Sequence, residues 1–233
     1  WVRNDFDLAG IPGFDGTPVV GEAYNTPGES NLIVAEELSE ILINEVDADT
    51  PGTDVAEFVE LYDGGVGNTT LDGLVVVFYN GSGDTSYAAY DLDGYSTDVN
   101  GYFLLGNAGI DPTPSIVFSS NGLQNGADAV ALYEGDASSF PNGTAATTEN
   151  LMDAIVYDTN DSDDSGLLVL LNAEQPQVNE AAGSGSTVDS NQRCPNGSGG
   201  LRNTVAYTQF LPTPGRENCT LPPEDCGDEF TPI

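Results

Sequence analysis

The chain has 233 residues, long enough to bury a real core, and 39% of them are hydrophobic, which separates it from a disordered acidic tail. Its 38 acids face four bases (Arg3, Arg193, Arg202 and Arg216, with no Lys), a formal charge of −34 that repels nucleic acid and anionic membranes alike. There is no His, so imidazole-based zinc and haem sites and His-dependent triads are excluded.

In chain order, residues 1–39 form a Gly- and Pro-rich stretch, IPGFDGTPVVGEAYNTPGES among them, that predicts an extended N-terminal arm or linker. NLIVAEELSEILINEV is ambiguous in its first half, while ILINEV alternates like a strand. Short β-like runs follow: EFVELYD, LDGLVVVFYN, SYAAYDLD, GYFLLGN, SIVFSS, DAVALYEG, LMDAIVYD, GLLVLLN and TVAYTQFL. Asn-Gly pairs at Asn80, Asn100, Asn121, Asn125, Asn142 and Asn196 mark tight turns between them. LVVVFYN is apolar on both faces and predicts a central strand covered on each side. In EFVELYD, Phe58, Val59, Leu61 and Tyr62 share the burial and Glu57 and Glu60 are expected at a rim. Many strands at roughly ten-residue spacing predict an all-β antiparallel sandwich or barrel.

ILINEVDADTPGTDVAEFVELYD, with LDGLVVVFYNG after it, resembles the opening of the lamin-tail domain family in its bacterial extracellular form. Ile43, Asn44 and Glu45 match the first strand motif of that family. Glu57 to Tyr62 match its EF(V/I)ELY motif, and Leu71, Asp72 and Gly73 its L-x-G. GYFLLGN, NGADAVALYEG, LMDAIVYD, RCPNGSGG and PTPGREN extend the likeness, so that it covers residues 40–220. The resemblance implies an immunoglobulin-like β-sandwich, with residues 221–233 as a C-terminal tail. It carries over no nuclease activity, because no catalytic domain follows in this sequence. Cys194 and Cys219 flank the two end motifs and are the favoured disulfide; Cys219–Cys226 is the alternative, and the third thiol is either free or left for a neighbouring subunit or a removed segment.

Paired carboxylates can hydrolyse glycosides, but among 38 acids such a pair carries no information. Hard cations want several carboxylate and carbonyl oxygens on a flexible loop, which makes calcium the expected ion. The first candidate loop is DADTPGTD, with Asp47, Asp49 and Asp54 and the flanking Glu57. The second is DTNDSDDSG, with Asp158, Asn160 and Asp164 at alternating positions; it lacks the glycine and final glutamate of an EF-hand, Val169 standing in the latter's place. DLDGYSTD, from Asp91 to Asp98, is a weaker third. Each loop is equally readable as a hydrated acidic turn.

Sequons at Asn68, Asn80, Asn142, Asn160, Asn196 and Asn218 are candidate glycosylation sites. No apolar run is long enough to span a bilayer. The chain begins at Trp1 and reads as a mature secreted or cell-surface fragment. The function expected from all this is a non-catalytic structural or adhesive protein, a subunit of an extracellular filament, appendage or matrix. Its partners are further copies, other extracellular proteins or glycans. An accessory module of a larger secreted nuclease or phosphatase is the alternative, and a carbohydrate-binding domain a weaker third.

Overall fold

A computed structural model describes residues 40–221; the arm, the tail and Cys226 lie outside the described residues. Eleven strands make two sheets: β1 (Leu42–Asp47), β2 (Phe58–Tyr62), β3 (Leu74–Asn80), β4 (Thr85–Asp91), β5 (Tyr102–Gly106), β6 (Ile116–Val117), β7 (Asp128–Glu134), β8 (Leu151–Asp158), β9 (Val178–Asn179), β10 (Ser190–Arg193) and β11 (Tyr207–Phe210). One sheet has the order β11-β10-β1-β2-β5-β6 and the other β4-β3-β7-β8-β9. All pairings are antiparallel except β5 with β6 and β8 with β9. The protein is an all-β sandwich.

Alternation builds the core. Val59 and Leu61 of β2 and Phe103 and Leu105 of β5 point inward from one sheet, and Val76, Phe78, Val130, Leu132, Ile155 and Tyr157 meet them from the other. The second sheet is also covered on its outer face: Val75, Val77, Tyr79, Ala131, Tyr133 and Val156 pack beneath Phe140, Leu167, Leu170 and Leu171. That double cover is why LVVVFYN is apolar throughout.

GLLVLLN, expected as a strand, instead contains a 3-10 helix over Leu167–Leu170. Leu167 and Leu170, three apart, face the sheet, and Val169 between them is 53% exposed. A three-residue period of apolar contact fits a 3-10 turn and no strand. SIVFSS contributes only the two residues of β6, and TVAYTQFL opens with a 3-10 turn over Thr204–Ala206 before β11.

The first strand carries the decisive irregularity. Its pairing with β2 shifts register between Ile43 and Glu45, so that Asn44 is an extra residue. Before it Ile41 and Ile43 face the inter-sheet core; after it Val46 does. Glu45 is turned to the outer face, beside Glu60. The expectation of Glu57 and Glu60 at a rim fails here: both are fully buried, Glu60 on this outer face and Glu57 against a loop.

A segment after β11 closes that face. Thr213 donates to Glu45 through its N–H and its hydroxyl, both at 2.8 Å, and Gly215 N–H donates to Glu60 at 2.6 Å. Asn218 Nδ2 donates to the carbonyls of Asn44 and Arg193. Cys219 then forms the disulfide with Cys194, tying the strap to the end of β10 and closing a loop of separation 25. In the loop-entropy picture such a closure is worth about 3 kcal/mol. PTPGREN is thus a lid over buried carboxylates.

At the opposite side of β10, Arg193 joins the two sheets. Its guanidinium pairs with Asp153 of β8 at 3.1 Å, both side chains fully buried. Nε donates to Ile43 O at 2.8 Å and Nη1 to the carbonyls of Ser198 and Gly200 at 2.7 and 2.8 Å. The Tyr207 ring lies 4.7 Å from the guanidinium carbon. Asp153 also accepts the N–H of Ile43 and of Arg202. Each nitrogen of the fork donates to at least one acceptor, which is what makes a buried charge tolerable.

Candidate functional site

The acidic loop between β1 and β2 is held by its own side chains. Asp54 Oδ1 accepts Thr50 N–H at 2.9 Å, and the Thr50 hydroxyl accepts Val55 N–H at 3.2 Å. Gly52, at φ +87, makes the turn that Pro51 begins. Asn125 Nδ2 bridges Asp49 and Asp54 at 3.4 and 3.1 Å, and the Ser186 hydroxyl donates to Asp49 at 2.6 Å. Glu57 points elsewhere and takes the N–H groups of Gly122 and Leu123, each at 2.9 Å. Glu180, from a 3-10 turn, accepts from Ala48 N–H, Asp49 N–H and Asn191 Nδ2.

These carboxylates act as acceptors that splice loops together. Asp49 and Asp54 are brought together through Asn125; Glu57 is not in their group. Among the described residues no three Asp, Glu or Cys side chains stand as a cage for a metal ion.

Asp47 differs from the rest. It is only 4% exposed, at the end of β1 on the same outer face as Glu45, and none of the hydrogen bonds formed by its neighbours ends on its carboxyl. Burial, and then the charges of Glu180, Glu45, Glu57 and Asp49, push that carboxyl well above the usual range. It lines a cavity of about 270 Å³ whose other walls include Phe58, Ile110, Val188, Pro212 and Pro214. Phe58 and Ile110 belong to the small apolar cluster outside the six-stranded sheet, so the floor of the cavity is hydrophobic.

The second candidate loop does not converge. Asp158 is buried and turned into its own Asx turn, accepting Asn160 and Asp161 N–H at 2.8 and 2.9 Å and Gln177 Nε2 at 2.8 Å. Asn160 is exposed. Asp164 accepts Gly166 and Leu167 N–H, starting the 3-10 helix. Asp161 and Asp164 line an open cleft with Asp128, a β7 residue that the loop pattern did not reveal. The third loop uses Asp91 and Asp98 likewise, on the N–H groups of Asp93, Asn100 and Tyr102.

Of the sequons, Asn68, Asn142 and Asn160 are exposed. Asn80 and Asn196 are half-buried, with Nδ2 donating to Gln124 and to the Tyr102 hydroxyl respectively. Asn218 is buried and its Nδ2 serves two carbonyls beneath the strap, which a glycan on that nitrogen would displace.

Three features were missed from the sequence: the fully buried polar strand β10 (SNQR), the lone position of Asp47, and the ion pair across the sheets. The only signal for the last was scarcity, since an arginine in a chain with four bases has a specific task. Fold and site together define a disulfide-bonded all-β sandwich with a covered acidic face and a small apolar cavity beside it. Comparison with family models, with curated proteins and with solved structures finds no match for this chain.

Proposed function

We propose that this is a secreted, non-catalytic structural or adhesive sandwich of lamin-tail type, assembling with further copies or other extracellular proteins through its arm and sheet edges. The observation that carries the reading is the edge at β11: β10 pairs with one side of it, and no described strand lies on the other. An open edge offers main-chain donors and acceptors to an added strand, and TPVVGEAY in the arm has the composition for one. The disulfide and the three exposed sequons, at Asn68, Asn142 and Asn160, support an oxidising, extracellular setting, and no helix among the described residues is long and apolar enough to cross a membrane. The carboxylates support a structural task, since most of those among the described residues are occupied as internal acceptors.

Deleting residues 1–38 is expected to reduce assemblies to single copies, read by light scattering; an unchanged particle size sinks the assembly mode. Calcium enters as a counter-ion to a formal charge of −34. Millimolar calcium is expected to raise the melting temperature beyond what sodium chloride does at equal ionic strength. Identical melts in calcium and in chelator would remove the ion from the account. A single-domain gene product favours the structural protein, and a catalytic domain encoded beyond Ile233 the accessory module.

A further inference from the structure

The cavity beside Asp47 has chemistry that the assembly reading does not use. Its walls are Ala56, Phe58, Ile110, Pro212 and Pro214, with Val188, 43% exposed, at one side. The polar residues lining it are few: Asp47, Asp49, Thr50 and Thr187. Asp49 and Thr50 already have partners in the loop, whereas the Asp47 carboxyl has none. With no protein donor, the Asp47 carboxyl keeps only the small surface that it turns to the cavity, and a ligand bound there supplies the missing partner.

The charge pattern names the partner's sign. Glu180, Glu45, Glu57 and Asp49 all act on Asp47 with like charge. Among the described residues the one ion pair is Arg193 with Asp153, and Arg202 and Arg216 are engaged with main-chain carbonyls. The sequence has no lysine. The shape names the rest: at about 270 Å³ the cavity is smaller than the usual pocket for a drug-sized molecule and suits a single side chain.

We infer that this cavity is a binding site for a lysine side chain of a partner protein, the four-carbon stem lying on Phe58, Ile110, Pro212 and Pro214 and the ammonium resting on Asp47. Lysine is favoured over arginine because the acceptors are one free carboxyl and scattered hydroxyls; a planar fork would want a bidentate carboxylate with both edges open. The inference does not depend on the arm or the β11 edge, and a failure of either leaves it standing.

The test is titration of the full chain with Nα-acetyl-lysine methylamide, followed by amide NMR shifts at Phe58, Ile110 and Val188. The norleucine and arginine counterparts are run alongside. Saturable shifts at those three residues are expected with the lysine compound, with at least tenfold weaker binding of the norleucine one and weaker binding of the arginine one. Asp47→Asn, which keeps the shape and removes the group able to take up a negative charge opposite an ammonium, is expected to weaken lysine binding at least tenfold. Ala56→Met, which fills the cavity from its wall, is expected to abolish it. No saturable shift, equal binding of norleucine, or undiminished binding in Asp47→Asn would each overturn the site. A stronger response at the same amides to calcium alone would reassign it to a metal ion and overturn the lysine assignment.

Discussion

Replacing Arg193 with Met is expected to destabilise the protein by about 3–5 kcal/mol, the usual cost of leaving one partner of a buried ion pair alone. Asp153 would keep its N–H donors from Ile43 and Arg202 but lose its only counter-charge. The carbonyls of Ser198 and Gly200 would lose the Arg193 donor as well, and Ile43 O would keep only the Tyr207 hydroxyl. Lysine should rescue little, because a single ammonium cannot reach three carbonyls and a carboxylate lying in different directions. The double change Arg193→Met with Asp153→Leu is expected to recover part of the loss, since an uncharged pair no longer demands solvation. Urea unfolding of the three variants measures this. A loss below about 1 kcal/mol for Arg193→Met, typical of exposed pairs, would refute the keystone role of this contact.

The second large effect is on pH. Burial raises Glu45 from 4.5 to about 7, against the hydrogen bonds from Ser190 and Thr213 and the charge of Arg216. Between those two values the folded chain holds a proton that the unfolded chain has released. Stability therefore falls as pH rises from 4.5 to 7, and the full cost, about 3 kcal/mol from this group, is present above that window. Glu60 and Glu180, both raised mainly by burial, act with the same sign. Asp63 acts with the opposite sign. Burial would raise it, but the Thr69 and Thr97 hydroxyls and the amides of Gly67 and Gly65 more than offset that and hold it below 3.8. Its contribution is lost as pH falls through that lower value. Greatest stability is thus expected at mildly acid pH.

Glu45→Gln isolates the main contribution. The amide nitrogen can donate to the Thr213 hydroxyl, which in turn donates to Asn218, as a protonated Glu45 would. The variant should match the parent near pH 4.5 and exceed it in stability above pH 7. Equal pH slopes for parent and variant would rule this group out as the cause.

Which parts of this were legible in the sequence follows from what each element buries. β3, β7 and β8 bury apolar side chains on both faces, so their composition announced them. β10 buries Ser190, Asn191, Gln192 and Arg193, each satisfied by hydrogen bonds from distant segments, and no local pattern encodes that. The acidic loop was visible as a loop. Its carboxylates read as free ligands because their partners, Asn125, Gly122, Leu123 and Ser186, lie 65 to 137 residues away. The bulge at Asn44 hid the burial of Glu45, since a strict two-residue period assigns that side chain to the face of Ile43.

The strap has a consequence for how the molecule is made. Thr213 lies 168 residues after the glutamate it covers, so a chain emerging from the ribosome presents Glu45 and Glu60 long before the strap donors that cover them. The outer face of the first sheet cannot be finished until the last described segment arrives and Cys219 meets Cys194. Completion of this face therefore follows both the arrival of the strap and the closing of its disulfide, and a nascent chain stalled before Pro212 would hold two acids in want of a roof.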